Sequence, residues 1–200
     1  MGQGVNILLD KLPEGVEIGG VFYEADTDFR VMARFEMRAL EESEDDGWVM
    51  EALAGFYKVV PEDVNAAFLE MVRFYRMYED EPEGQGREVS GDNKILYSFE
   101  HDAKRIYAAF YQQYGLDLCG VKLHWFKFRS LFMSLAEDTE LVKIMSYRAM
   151  DLSKIKDRDM KEYYRALKKQ FALPVSKSEK EKLRAIEEAL EGDGNLDGIM

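Results

Sequence analysis

Cysteine is almost missing from this chain. Cys119 is alone among 200 residues, so an intrachain disulfide and a cysteine-built zinc site are both excluded. Leu118 and Val121 flank it, and the expectation is a packed thiol with a structural role rather than a reactive one. Histidine is nearly as scarce, with His101 and His124 the two present. The apolar stretches are too short and too interrupted to span a bilayer. MGQGVNILLDK has neither the basic start nor the apolar run of a signal peptide. Its Met-Gly opening is not read as a myristoylation start, because Asn6 stands where Ser or Thr is expected. The expected location is the cytoplasm, with no membrane partner. A phosphate-cradling Gly-rich loop is missing, as is a Ser or Cys nucleophile accompanied by a base and an orienter. No internal repeat is visible.

Apolar residues are plentiful. At 46% hydrophobic and 12% aromatic, 200 residues can build a sizeable core, which excludes disorder throughout. The length suits one domain, or one domain with a tail. The net charge of -12 is unevenly placed. Residues 1–100 carry 9 Lys or Arg against 23 Asp or Glu, a net -14, while residues 101–200 carry 18 against 16, a net +2. Phosphate backbones repel an acidic chain, so general nucleic-acid binding is not expected.

The pattern predicts a mainly α fold: about seven helices, a small N-terminal hairpin over about 16–24, and a polar C-terminal tail. Val16-Glu17-Ile18 and Val21-Phe22-Tyr23 flank Gly19-Gly20, a two-residue hairpin signal. Asp26-Thr27-Asp28 offers caps for a helix carrying Phe29, Met32, Phe35 and Leu40. The acidic run at 41–47 is a solvated connector. Val49, Leu53, Phe56 and Val60 share the next helical face. Pro61 is expected as the first residue of the following helix, which carries Val64, Phe68, Met71, Tyr75 and Tyr78. Residues 79–92 read as a long loop inside one domain, 1–174. A helix is expected from about Leu96 to Tyr114, with Phe99, Ala103, Ile106 and Phe110 on one face and Gly115 ending it. Val121–Ala136 is apolar on nearly every side and is expected at the centre of the molecule. Asp138-Thr139 caps a short helix with Leu141, Ile144 and Met145. Asp157 starts another with Met160, Tyr164, Leu167 and Phe171 inward, ended by Leu173-Pro174. Residues 175–200 form a loosely attached tail, in which the capping box Ser178–Glu181 predicts a short helix to about Leu190.

Three constellations could carry chemistry, and each has a plainer alternative. His101-Asp102 is the kind of pair that metal-dependent phosphohydrolases use, and His124 with Glu100 and Glu137 could complete a site. The preferred reading is a solvated helix face for His101 and a polar stripe for His124. Asp193-Gly194-Asn195-Leu196-Asp197-Gly198 matches the opening of an EF-hand loop but lacks the late Glu and the second helix. A polar turn is preferred, with weak calcium contact the most it would give. Lys154, Lys156, Arg158, Lys161, Arg165, Lys168 and Lys169 form a basic run beside Tyr163 and Tyr164, which could stack on nucleic acid. A solvated helix face complementing the acidic N-terminal half is preferred. No catalytic, metal or cofactor-binding residue is therefore assigned.

Longer strings of residues carry a resemblance. LPEGVEIGGVFYEADTDFR, FEHDAKRIYAAFYQQYGLDL, HWFKFRSLF and LAEDTELVKIMSYRAMDLSKIKDRDMKEYYRALKKQFALP resemble the bacteriophage gene-product-15 family over roughly residues 5 to 175. The resemblance implies a small protein of long-tailed phages and prophages of Gram-positive bacteria, encoded in the tail-morphogenesis region. It implies no enzyme activity, no catalytic residues and no cofactor. The expected role is a tail assembly chaperone in the host bacterial cytoplasm. It names the tape measure protein as partner, with the major tail protein as a further candidate. A structural tail or connector component is the alternative, and a metal-dependent hydrolase using His101, Asp102 and His124 the third.

Overall fold

The computed structural model of the protein describes residues 5–40, 47–79 and 95–174. Gly19-Gly20 sets its first feature. β1 (Gly15–Ile18) pairs antiparallel with β2 (Val21–Glu24), with Ile18 opposite Val21 and Val16 opposite Tyr23. Both turn glycines have positive φ, 59° and 80°, which side-chain-bearing residues rarely adopt. Gly15 is required for another reason. A Cβ there would meet the Tyr23 carbonyl oxygen and lie 2.7 Å from Phe22 Cζ. A lone hairpin is marginal in water, and this one is supported on both sides. Val16 is buried, and β1 packs on α3 (Val64–Tyr75). Past β2, Ala25 bridges Tyr57, and the Lys58 N–H donates to the Glu24 carbonyl at 3.0 Å.

Several helix starts are set by short polar side chains, whose oxygens accept the orphan N–H groups of the first turn. Asp28 accepts from the Arg30 N–H ahead of α1 (Phe29–Leu40). Asp63 accepts from Ala66 ahead of α3, Thr139 from Val142 ahead of α6 (Glu140–Ala149), and Asp157 from Met160 ahead of α7 (Arg158–Gln170). His124 does the same for α5 (Trp125–Met133), through Nδ1 and the Phe126 N–H. Two of these starts are stitched together. The Phe29 N–H donates to the Leu123 carbonyl at 2.9 Å and the Trp125 N–H to the Thr27 carbonyl at 2.8 Å. α1 and α5 therefore leave from one point with their aromatic residues facing.

α5 is the centre, as its composition predicts. Trp125, Phe126 and Phe128 have no exposure and Phe132 almost none. Phe128 stacks on Phe29 at 4.4 Å and on Phe110 at 4.9 Å, joining α1 and α4 (Ala103–Tyr114) through one ring. Trp125 buries its ring against Tyr75, and its indole N–H donates to the Tyr75 carbonyl at 2.8 Å, so its one polar atom is satisfied. α2 (Gly47–Phe56) adds Leu53 and Phe56. One cluster of buried side chains spans the hairpin and α1–α6.

Several expectations are corrected. The α4 helix starts at Ala103, not Leu96. Tyr97 and Phe99 leave the helical path to pack on Phe132, at 4.8 and 6.2 Å. Pro61 does not open α3; it is buried two residues ahead of the capping Asp63. The apolar helix is shorter than Val121–Ala136, because His124 and Ser134 cap its ends, and Lys127 keeps one side at the surface. Leu40 and Met160 are 46% and 48% exposed rather than inward. Cys119 is exposed, not packed: its N–H is held by Asp117 Oδ1 in a surface turn. The connector at 41–46, most of the 79–92 loop and the tail from 175 lie outside the described residues.

Candidate functional site

The most concentrated charge chemistry sits at the start of α4, around Asp102. This carboxylate is 1% exposed, and Arg148 of α6, 7% exposed, holds it in a two-pronged pair. Arg148 Nη1 lies 2.6 Å from Oδ2 and Nη2 3.0 Å from Oδ1. Arg105 Nη1 adds a bond to Oδ1 at 3.1 Å and the Ser98 N–H one to Oδ2 at 3.1 Å. Burial pushes the Asp102 carboxyl up, but Arg148, the Ser98 N–H and Arg105 outweigh it and hold it below the usual carboxylate range. Arg148 also donates to the carbonyls of Leu96, at 2.8 Å, and Phe171, at 2.6 Å. One guanidinium thus ties together the approach to α4, α4 itself, α6 and the end of α7.

Beside this cluster lies a shallow cleft of about 130 Å³, lined by His101, Arg105, Gln170 and Phe171–Pro174. A general base needs a free lone pair and room for a substrate. The Asp102 carboxylate has four donors on two oxygens and two cations neutralising it, and the cleft is smaller than an ordinary ligand pocket of roughly 300–1,000 Å³. This is the geometry of a structural clamp.

The residues singled out in the sequence do not converge. His101 is exposed, its Nε2 3.7 Å from Glu100 Oε2. His124 is half-buried and structural: Nδ1 caps α5, and Nε2 lies 3.0 Å from the Pro13 carbonyl oxygen. Burial lowers its pKa despite that carbonyl, and Lys127 adds to the lowering. Among the described residues, no three His, Cys, Asp or Glu side chains come together as a metal site. Among the described residues, α7 packs on α6 and on the 3-10 turn Leu152–Lys154. The described ion pairs of the basic run are local, Arg165 with Glu162 and Lys154 with Asp151. The 193–198 motif lies outside the described residues.

A second polar cluster joins α1, α3 and α5. Tyr75 and Tyr97 both donate their hydroxyl protons to Glu36 Oε2, and Arg129 Nη1 donates to the Tyr97 oxygen at 3.1 Å. Burial and the Glu36 charge push both phenols up, Tyr97 to about 12. A phenol held protonated donates a hydrogen bond and does no acid–base work near neutral pH. Neither cluster was recognised in the sequence, yet one signal was available. Arg148 continues the Leu141–Ile144 stripe at i+7 and i+4, and Asp102 lies on the face of Ile106 and Ala109. A charge on an apolar stripe needs a buried partner.

The surface carries apolar side chains in several places. Leu8 and Leu9 stand exposed ahead of the hairpin, Val21 and Phe22 at its tip, and Val59 just past the segment that pairs with β2. Tyr107 and Tyr111 stack on the outer side of α4. Among the described residues no helix is long and apolar enough to cross a membrane.

Compared with known proteins, the chain matches the family model described as Bacteriophage Gp15 protein, over residues 8–173. No curated protein and no solved structure matches it. The family match begins ahead of the hairpin and runs past the end of α7, so it takes in every element among the described residues; the chain belongs to the bacteriophage Gp15 protein family.

Proposed function

We propose that this protein serves phage tail morphogenesis without catalysis, as a chaperone for the tape measure protein in the cytoplasm of a Gram-positive host. Membership of the phage family carries the reading. Physical features support it. A tape measure chain holds long apolar helical segments that aggregate when exposed, and a protein that shields them needs apolar contact groups on a well-hydrated body. Here the chain has a net charge of -12, while Leu8, Leu9, Phe22 and Val59 are each more than half exposed. The two charged clusters, around Asp102 and around Glu36, are bonded internally. Nucleic acid and membrane are not partners in this reading.

Co-expression tests it. Tape measure segments expressed with this protein should remain soluble and co-purify with it. Aggregation of those segments at the same level with and without the protein, and no complex on gel filtration, would remove the chaperone role.

A further inference from the structure

α7 is held differently from every other helix. Among the described residues, α1 to α6 each contribute two or more buried residues, and α7 contributes none. Met160 and Tyr163 are 48% and 58% exposed. The helix is complete in itself, with Asp157 capping its first turn at 2.8 Å and Arg165 paired with Glu162 on its surface. Its attachment is a handful of points on α6, on the chain just after it, and on Arg105 of α4, whose guanidinium lies 5.9 Å from the Phe171 ring. Tyr164 and Phe171 rest on Tyr147, with ring centres 6.5 and 6.0 Å away. Lys168 Nζ donates to the Met150 carbonyl at 2.7 Å, and Arg148 Nε to the Phe171 carbonyl at 2.6 Å.

The surface under α7 does not depend on α7. Leu141 and Ile144 anchor α6 in the core from the other side, and Arg148 keeps its pair with Asp102. What α7 covers is an aromatic platform, Tyr147, edged by the Met150 carbonyl, which accepts from Lys168, and by the Asp151 carboxylate. Hydrogen bonds from Ser153, helped by the Lys168 charge, hold the Asp151 carboxyl below its ordinary range, whereas Glu140 is paired with Arg105 of α4. α7 answers that surface with two aromatic residues seven apart and a lysine four residues after the first.

We propose that α7 is a displaceable strap, and that the face of α6 beneath it is a docking groove for a basic amphipathic helix of a partner protein with the same pattern: an aromatic residue, a cation at i+4, an aromatic residue at i+7. This rests on the reading of the protein as a binder of helical segments and names where such a segment sits. α7 then acts as an internal placeholder that keeps the groove covered until a partner helix displaces it.

Two measurements on the full chain test the strap, and neither uses the tape measure protein. In hydrogen exchange at neutral pH, the backbone amides of α7 should exchange about 100-fold faster than those of α4 and α5, because the strap opens without global unfolding. A labelled peptide of residues 157–174, added in trans, should bind the full chain. It should bind the Phe171→Ala chain about tenfold more tightly, because that variant spends more time open. α7 amides as slow as those of α5, or a peptide that binds neither chain, would overturn the proposal. So would a dimer on light scattering that the peptide dissociates, which would assign the groove to a second copy. A working strap without any tape measure complex would count against the proposed function and not against the groove.

Discussion

Replacing Arg148 with methionine removes the main partner of a buried charge while keeping most of the side-chain volume. In the native protein Asp102 and Arg148 are 1% and 7% exposed and share two bonds of 2.6 and 3.0 Å. The variant leaves Asp102 with Arg105 and the Ser98 N–H, and leaves the Leu96 and Phe171 carbonyls without this donor. Breaking a buried pair from one side costs ~3–5 kcal/mol. Arg105, a third exposed, stays near the carboxylate and argues for the lower end, about 3 kcal/mol. Against a total stability of roughly 5–15 kcal/mol that is a large loss. Urea unfolding followed by circular dichroism at pH 7 measures it. The Asp102→Asn/Arg148→Met double variant should be more stable than the sum of the single variants predicts, because no charge is left alone. Acid gives a second readout. With its folded pKa held below the ordinary 3.8, Asp102 contributes stability that is complete above that range and is lost as pH falls through the lower folded value. Asp102→Asn should remove that part of the acid sensitivity. A loss under about 0.5 kcal/mol for Arg148→Met, the size of an ordinary surface change, would refute the clamp.

Phe128→Ala should cost ~3–5 kcal/mol in the same urea assay, since this fully buried ring stacks on Phe29 and Phe110 and its removal opens a cavity between three helices. Gly15→Ala should lose ~1–3 kcal/mol by overpacking, because the new methyl meets the Tyr23 carbonyl and the Phe22 ring; an unchanged midpoint would mean the hairpin is looser than described. His124 gives a pH test. Its neutral form satisfies both the Phe126 N–H and the Pro13 carbonyl, and its folded pKa lies below 6.5, so its stabilisation is complete above that value and declines as pH falls through the lower folded one. His124→Asn keeps a capping oxygen and should flatten the stability profile below pH 6.5.

Much of the fold was legible because local chemistry and tertiary packing agree. Gly19-Gly20, the caps Thr139 and Asp157, and the Gly115 terminator, with φ of 64°, all act where the sequence places them. The aromatic density of α5 marked the core correctly. The misses fall where a distant partner overrides local pattern. Phe99 continues the α4 stripe on paper, yet Phe132 draws it off the helix. Pro61 suits a helix start, but Asp63 supplies the better cap two residues later. Met160 keeps helical period with Tyr164, yet α7 leans mainly on α6 and one turn, so its edge stays open. The two polar clusters join residues 39 to 61 positions apart, and no spacing rule connects Glu36 to Tyr75 and Tyr97 or Asp102 to Arg148. Family membership was readable from long strings of residues, whereas the groove under α7 emerges from the pattern of burial.

In the proposed role this phage protein assists tail assembly by holding the tape measure protein and is left out of the finished particle. Quantitative mass spectrometry of the phage that encodes it, on purified virions and on the unassembled fraction of the same lysate, separates that role from a structural one. The chaperone role requires the protein to be bound to the tape measure protein in the unassembled fraction and absent from virions. A stoichiometric copy number in virions, with no tape measure complex outside them, would contradict it and identify a structural tail component instead.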